Sequence, residues 1–197
     1  MDKQIFNFYK NALTGEIANN PLCREFQTAW RNCGDDKEQL MRLALRQQSA
    51  PFLAHACYTN LGLTKEYIEK EFADYINNSR VFNDVEGVEG FTYAMFVGAT
   101  DAKEMALDVI QMLWCTSELS IKITKCPVIY VSNKSDVHIV CNGYNSPRIY
   151  LFDESKVTID GDESCEVIVY KYSDVAMVER GKDCKCEVKT FNKELRL

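Results

Sequence analysis

The sequence predicts an α+β protein, in which an N-terminal helical subdomain precedes a β-rich C-terminal part that forms a short β-solenoid. Helix start and stop signals crowd the first 80 residues, whereas residues from 128 onward are rich in Val, Ile, Tyr and Thr and repeat about every 20 residues. With 197 residues, 46% of them hydrophobic, the chain can bury its own core. We therefore expect a helical subdomain at 1–80, a mixed connecting region at 81–127 and a repeat solenoid at 128–197.

The helical part is divided by capping signals. Asn20-Pro21 is a start signal and Gly34 a stop signal, and Asp35 with Glu38 has the spacing of a capping box. Pro51 opens one further helix and Thr64 caps another. The predicted helices are 3–13, 21–32, a segment that begins at Asp35, 51–60 and 64–77.

The connecting region contains two clear strand patterns. Residues 91–97 form one β-prone apolar run, and residues 119–124 alternate apolar with polar side chains. Residues 103–114 fit a helix or a strand equally well, because their periodicity favours neither.

The C-terminal repeat is the most informative feature of the chain. An aliphatic residue followed by Tyr recurs at 129, 149 and 169, and the same spacing relates Gly161 to Gly181 and nearly relates Cys165 to Cys184. Two short strands per 20 residues fit one turn of a solenoid, in which like residues stack from turn to turn. A Ser-x-Val element recurs at 135, 155 and 173, so the third copy is locally shortened. The predicted ladders are Tyr130, Tyr150 and Tyr170, and Val137, Val157 and Val175. A run of antiparallel hairpins is the alternative. In hairpins each strand pairs with the next strand in the sequence, whereas in a solenoid each strand pairs in parallel with the strand one turn away.

Residues that could carry chemistry are few, and we predict no catalytic, cofactor-binding or metal-binding site. His55 and Cys57 are two apart on a predicted helix and so point to different faces. His138 is interpreted as a strand side chain, equivalent to Thr158 and Ala176. The turn 160–163 is acidic but lacks the order of a calcium-binding loop. The only carboxylates that a sugar-cleaving solenoid could use are Asp153, Glu154 and Asp174.

Composition excludes several classes. A net charge of −6 argues against a nucleic-acid binder, and we see neither a signal peptide nor a stretch long enough to span a membrane. The nine Cys contain no Cys-x-x-Cys pair, so we expect reduced, mostly buried thiols. The expected location is the cytoplasm at synthesis, with later association with a virion as an option.

Four stretches carry a resemblance, and we list them together: residues 36–44, 63–68, 149–155 and 191–197. They resemble segments of uncharacterised proteins encoded by tailed phages and prophages of gut Bacteroidetes, over most of the chain from about residue 22. That family has no assigned activity. The resemblance therefore implies a phage context and no catalytic residues.

The leading hypothesis is a non-enzymatic structural or protein-interaction protein of a phage or mobile element, either a virion component or a host-interaction factor. It implies a protein partner, with self-association as one form of it, because solenoids offer flat surfaces and exposed end strands. One alternative is a carbohydrate-binding or carbohydrate-cleaving solenoid, which needs exposed Tyr rings. The other is a small acidic inhibitor of a host enzyme, which needs one sign of charge on a single face.

Overall fold

A computed structural model of the chain describes residues 24–44, 65–75, 81–82, 93–98, 100–107, 111–115, 118–123, 128–132, 134–181 and 183–191. Within these residues the N-terminal part forms helices α1 (Arg24–Cys33), α2 (Lys37–Ala44) and α3 (Lys65–Glu71), followed by a 3-10 turn, Ala73–Tyr75. The predicted helix 64–77 is thus shorter than expected. The predicted helices 3–13 and 51–60, with His55 and Cys57, lie outside the described residues.

The ends of α1 and α2 show how local signals set the helix boundaries. Gly34 follows α1 with φ of 57°, the left-handed conformation that a helix-ending glycine adopts. Asp36, not Asp35, caps α2: its Oδ1 accepts a hydrogen bond from the Gln39 amide at 3.1 Å, and the Gln39 side chain donates to its Oδ2 at 2.8 Å. The N-cap therefore lies one residue later than predicted, and the predicted capping box does not form, because the Asp36 amide donates to the Cys33 carbonyl at 3.1 Å and not to a side chain at the third helical position.

The remainder of the described chain is a β-solenoid built from two parallel sheets. One sheet has seven strands in the order β1-β2-β4-β6-β8-β10-β12, and the other has five in the order β11-β9-β7-β5-β3. The strands are β1 (Val81–Phe82), β2 (Tyr93–Val97), β3 (Thr100–Leu107), β4 (Gln111–Cys115), β5 (Glu118–Ile123), β6 (Val128–Val131), β7 (Asp136–Cys141), β8 (Arg148–Leu151), β9 (Lys156–Gly161), β10 (Glu166–Lys171), β11 (Met177–Arg180) and β12 (Lys185–Thr190).

Parallel pairing decides between the solenoid and the hairpins. From β2 onward, each strand pairs with the strand two places along the chain, so successive turns contribute one strand to each sheet, whereas β1 pairs in parallel with β2. The predicted solenoid is confirmed, and it extends beyond the repeat, because β2 to β5 continue both sheets toward the N-terminus. The predicted strands at 91–97 and 119–124 are confirmed as β2 and β5, and the described residues of the ambiguous stretch 103–114 belong to strands β3 and β4.

The core lies between the two sheets and is made of stacked aliphatic side chains. Ile129, Ile149 and Val169 occupy one register position on β6, β8 and β10, and all three are fully buried. Val137 and Val157 pair in the same way across β7 and β9. Because every turn buries the same positions, the sequence has to repeat at the length of the turn.

The third turn departs from the predicted spacing. Met177 pairs with Lys156 and Val178 with Val157, an offset of 21 residues where the turn before has 20. The prediction that Val175 continues the valine ladder is therefore wrong: Val175 lies in the turn and is 63% exposed. The extra residue falls after β10, where Tyr172 and Ser173 fill the place that Phe152 takes one turn earlier.

The corners between the sheets are tied by serines. Ser135 Oγ donates to the Ser132 carbonyl at 2.8 Å, and Ser155 Oγ donates to the carbonyls of Phe152 and, at 3.4 Å, Val131. Both hydroxyls are buried, so these bonds satisfy groups that would otherwise be costly to remove from water. In two turns the serine of the predicted Ser-x-Val element therefore stabilises the corner, whereas Ala176 takes the equivalent place in the third turn.

Candidate functional site

The outer face of the seven-stranded sheet carries a stack of aromatic rings. Strand alternation places Tyr130, Tyr150 and Tyr170 opposite the core-facing aliphatics, and their ring centroids lie 5.0 and 4.8 Å apart at small interplanar angles. The predicted tyrosine ladder is confirmed. Tyr130 is only 6% exposed, and the other two are half-buried.

A second aromatic row runs beside the first. Phe152, Tyr172 and Phe191 stack in succession with centroids 5.2 and 5.1 Å apart. Burial raises the pKa of Tyr172 to about 12, with the neighbouring phenols Tyr150 and Tyr170 adding to the shift. Because the rings cover one another's faces, the two rows serve as packing contacts between successive turns.

The outer face of the five-stranded sheet carries interleaved charges. Lys156 Nζ lies 3.1 Å from Glu179 Oε2 and 3.8 Å from Asp136 Oδ2, and the hydrogen bond to Glu179 raises the pKa of the lysine. His138 Nε2 lies 2.9 Å from Asp160 Oδ2 on the next turn. His138 occupies the register position of Thr158, as predicted, but the third equivalent is Glu179 and not Ala176.

The acidic turn between β9 and β10 has a structural role. Asp162 Oδ2 accepts a hydrogen bond from the Gly143 amide at 2.9 Å, and its Oδ1 accepts one from the Ser164 amide at 2.9 Å. These bonds, with that of the Ser164 hydroxyl, hold the pKa of Asp162 below its usual value. Within the described part of the chain no group of three or more His, Cys, Asp or Glu is arranged to hold a metal ion.

The carboxylates nominated for sugar chemistry lie in corner turns. Asp153 and Glu154 separate β8 from β9, and Asp174 separates β10 from β11. Glu154 lies 3.8 Å from Lys134 Nζ, and Asp153 has a φ of 53°, which places it in the turn conformation that Asp tolerates. The structure accounts for these side chains as turn residues.

The C-terminal end of the solenoid is the part that differs most from the regular turns. Among the described residues β11 pairs only with β9 and β12 only with β10, so each keeps one unpaired edge. Val175, Met177 and Val188 are 63%, 53% and 41% exposed, and all three lie in this last part. We call β11, β12 and the turn 172–176 the end surface.

A groove of 470 Å³ runs along the end surface. Its walls come from β10 and β12 and from Arg180, and they include Ile168, Cys186 and Glu187. Arg180 spans from β11 to β12, where its Nη1 donates to the Cys186 carbonyl at 3.0 Å. The groove therefore combines apolar atoms, both signs of charge and free backbone groups.

At the opposite end of the solenoid, α3 lies against β2.

A disulfide links Cys141 at the end of β7 to Cys165 just before β10, with Cα atoms 6.1 Å apart. The expectation that all cysteines are reduced is therefore wrong for this pair. Closing a loop of this length in the unfolded chain contributes about 3.5 kcal/mol to stability. The prediction missed the bond because 24 residues separate the two cysteines, which is not the repeat spacing.

Comparison with known proteins returned no match: no family model, no curated protein and no solved structure is similar to the chain. None of the described helices is long and apolar enough to span a membrane.

Proposed function

We propose that the chain is a non-enzymatic interaction protein that docks a protein partner on the end surface, and that it serves a phage or related mobile element. The observation that carries the proposal is the pair of unpaired strand edges on β11 and β12, next to exposed Val175, Met177 and Val188. Unpaired edges accept an added strand, and exposed apolar side chains supply the burial that makes such an addition stable.

The side chains of β12 suggest what kind of segment would fit. Lys185, Glu187 and Lys189 alternate with Cys186 and Val188, so one row is charged and the other apolar. A partner strand with acidic residues opposite the two lysines and apolar residues opposite Val188 would complement both rows. A second copy of this chain is included among such partners.

The aromatic rows weigh against the carbohydrate alternative. Sugar binding uses free ring faces, whereas Tyr150 has Tyr130 on one side and Tyr170 on the other. The inhibitor alternative needs a face of one charge sign, and Lys156 between Asp136 and Glu179 is the opposite arrangement. The stacked rings and the mixed charges therefore favour the interaction protein over both alternatives.

The proposal also places the helices of residues 1–80 in a subdomain of their own and the protein in the cytoplasm or a virion.

The test of docking at the end surface is crosslinking mass spectrometry on the tagged full-length chain, expressed in phage-infected host cells. We expect crosslinks from Lys185 and Lys189 to one protein or to a second copy. Crosslinks confined to the helices, or a monomer without intermolecular crosslinks, would contradict docking at the end surface.

A further inference from the structure

Four sulfur atoms gather on consecutive turns near the end surface. Cys141 and Cys165 form the disulfide, and both are fully buried in the core. Cys184 lies immediately before β12 and is also buried, and Cys186 packs beside it against the same core cluster. A disulfide therefore has free thiols as neighbours in the same water-excluded stack.

Cys184 takes the place of Cys165 one turn later. Glu166 pairs with Lys185 in the parallel ladder of β10 and β12, and the two cysteines are the residues just before that pair. Neighbouring strands are separated by about 4.8 Å. That spacing falls within the range of roughly 4.4–6.8 Å between Cα atoms that a disulfide requires.

Cys184 also lies close to the other half of the disulfide. Gly161 pairs with Cys141, and a Cβ placed on Gly161 would lie 2.7 Å from the Cys141 carbonyl oxygen and 3.6 Å from Cys184 Sγ. The thiol and the Cys141 backbone thus border the small space that glycine leaves open. This arrangement puts Cys184 within reach of the disulfide without moving a strand to another register.

We propose that Cys141, Cys165 and Cys184 form a thiol–disulfide exchange site, with Cys184 as the attacking thiol. The Cys184 sulfur, after losing its proton, attacks Cys165 Sγ, so a Cys165–Cys184 bond forms while the Cys141–Cys165 bond breaks. The electron pair of the broken bond leaves on Cys141, which takes up a proton. One thiol and one disulfide are present before and after, so the step needs no external oxidant.

The exchange moves the crosslink along the solenoid. The Cys141–Cys165 bond encloses β8 and β9, whereas a Cys165–Cys184 bond encloses β10 and β11. The second position tethers the last turn, which carries the end surface. The site itself rests on the cysteine geometry and does not depend on the proposed docking function.

Peptide mapping by mass spectrometry tests the exchange on the full-length wild-type protein. Trypsin places Cys184 and Cys186 in separate peptides, because Lys185 lies between them. The protein is kept folded at pH 9 without reductant, is then denatured in excess alkylating reagent so that buried thiols also react, and is digested with trypsin. We expect the Cys165–Cys184 disulfide to appear with time, together with an alkylated Cys141 in equal amount.

Two variants accompany this measurement. Cys184→Ser should keep the Cys141–Cys165 bond and show no exchange, and Cys186→Ser should exchange like wild type. The proposal is overturned if folded wild-type protein retains only Cys141–Cys165 over a day at pH 9. It is equally overturned if Cys186 replaces Cys184 as the new partner of Cys165.

Discussion

Gly161 offers a sharp test of the ladder geometry, because a side chain at this position would meet the backbone of the preceding turn. A Cβ at this position would stand 2.7 Å from the backbone oxygen of Cys141, below the distance that real Cβ contacts reach. The oxygen belongs to β7 and cannot rotate away. Relief to an ordinary contact of about 3.4 Å therefore requires β7 and β9 to separate by roughly 0.7 Å.

Overpacking of this kind costs about 1–3 kcal/mol. For a chain of this size each kcal/mol lowers the Tm by about 2–4 °C. We therefore expect Gly161→Ala to unfold several degrees below wild type and at a lower urea concentration, as followed by circular dichroism.

Gly181→Ala is the matched control. Its Cβ would meet Asp160 Oδ1 at 2.6 Å, but this is the tip of an exposed side chain that can turn aside. The loss of the Asp160 contact with His138 is offset by the reduced freedom of the unfolded chain, so a change below about 1 kcal/mol is expected. Equal stabilities for the two variants would refute the close approach of β7 and β9.

Three further measurements probe the packing. Val157→Ala removes methyl groups from a fully buried site and should lower the free energy of unfolding by about 2 kcal/mol. Val175→Ala, at an exposed turn, should change the free energy of unfolding by less than about 0.5 kcal/mol. Similar losses of stability in the two variants would contradict the register. Burial raises the pKa of Tyr130 and of Tyr172 in the folded state, so above pH of about 10 the unfolded chain loses these protons first and stability falls. Urea midpoints at pH 8 and 11 should show this fall, and Tyr172→Phe should reduce it; an unchanged fall would be evidence against burial of that phenol. Burial also raises the pKa of Cys186 to about 11, which lowers its thiolate fraction at pH 8, so in a Cys184→Ser background its alkylation should be at least about tenfold slower than that of a free thiol. A rate close to that of a free thiol would show that Cys186 is open to solvent.

The repeat made most of the solenoid predictable, because stacking requires like residues at each turn. Ile129, Ile149 and Val169 keep the period of 20, and they lie in register. The extra residue after β10 was missed, since the Ser-x-Val element at 173–175 mimics the earlier copies. The register of β11 is set by its backbone ladder with β9 and by burial of Val178. The three residues of the Ser-x-Val element encode neither.

Residues 100–107 were unpredictable for a different reason. Ala102, Lys103, Glu104, Met105 and Leu107 all favour helices, yet this segment is β3. Pairing with β5 on the edge of the five-stranded sheet overrides the local preference. The disulfide and the end surface were equally invisible, because both arise only once the turns are stacked.

The central functional claim is that the end surface binds a partner, and its most direct test is the affinity of that partner for a charged variant. Val188→Lys places a charge on the free edge, and Tyr144→Lys, at a 94% exposed apolar position in the turn between β7 and β8 and outside the end surface, is the control. With the partner identified by crosslinking, calorimetry or surface plasmon resonance gives each Kd. The account predicts that Val188→Lys weakens binding at least tenfold, about 1.4 kcal/mol, while Tyr144→Lys leaves the Kd within about twofold. Equal Kd values for wild type and Val188→Lys, with both proteins folded, would contradict it.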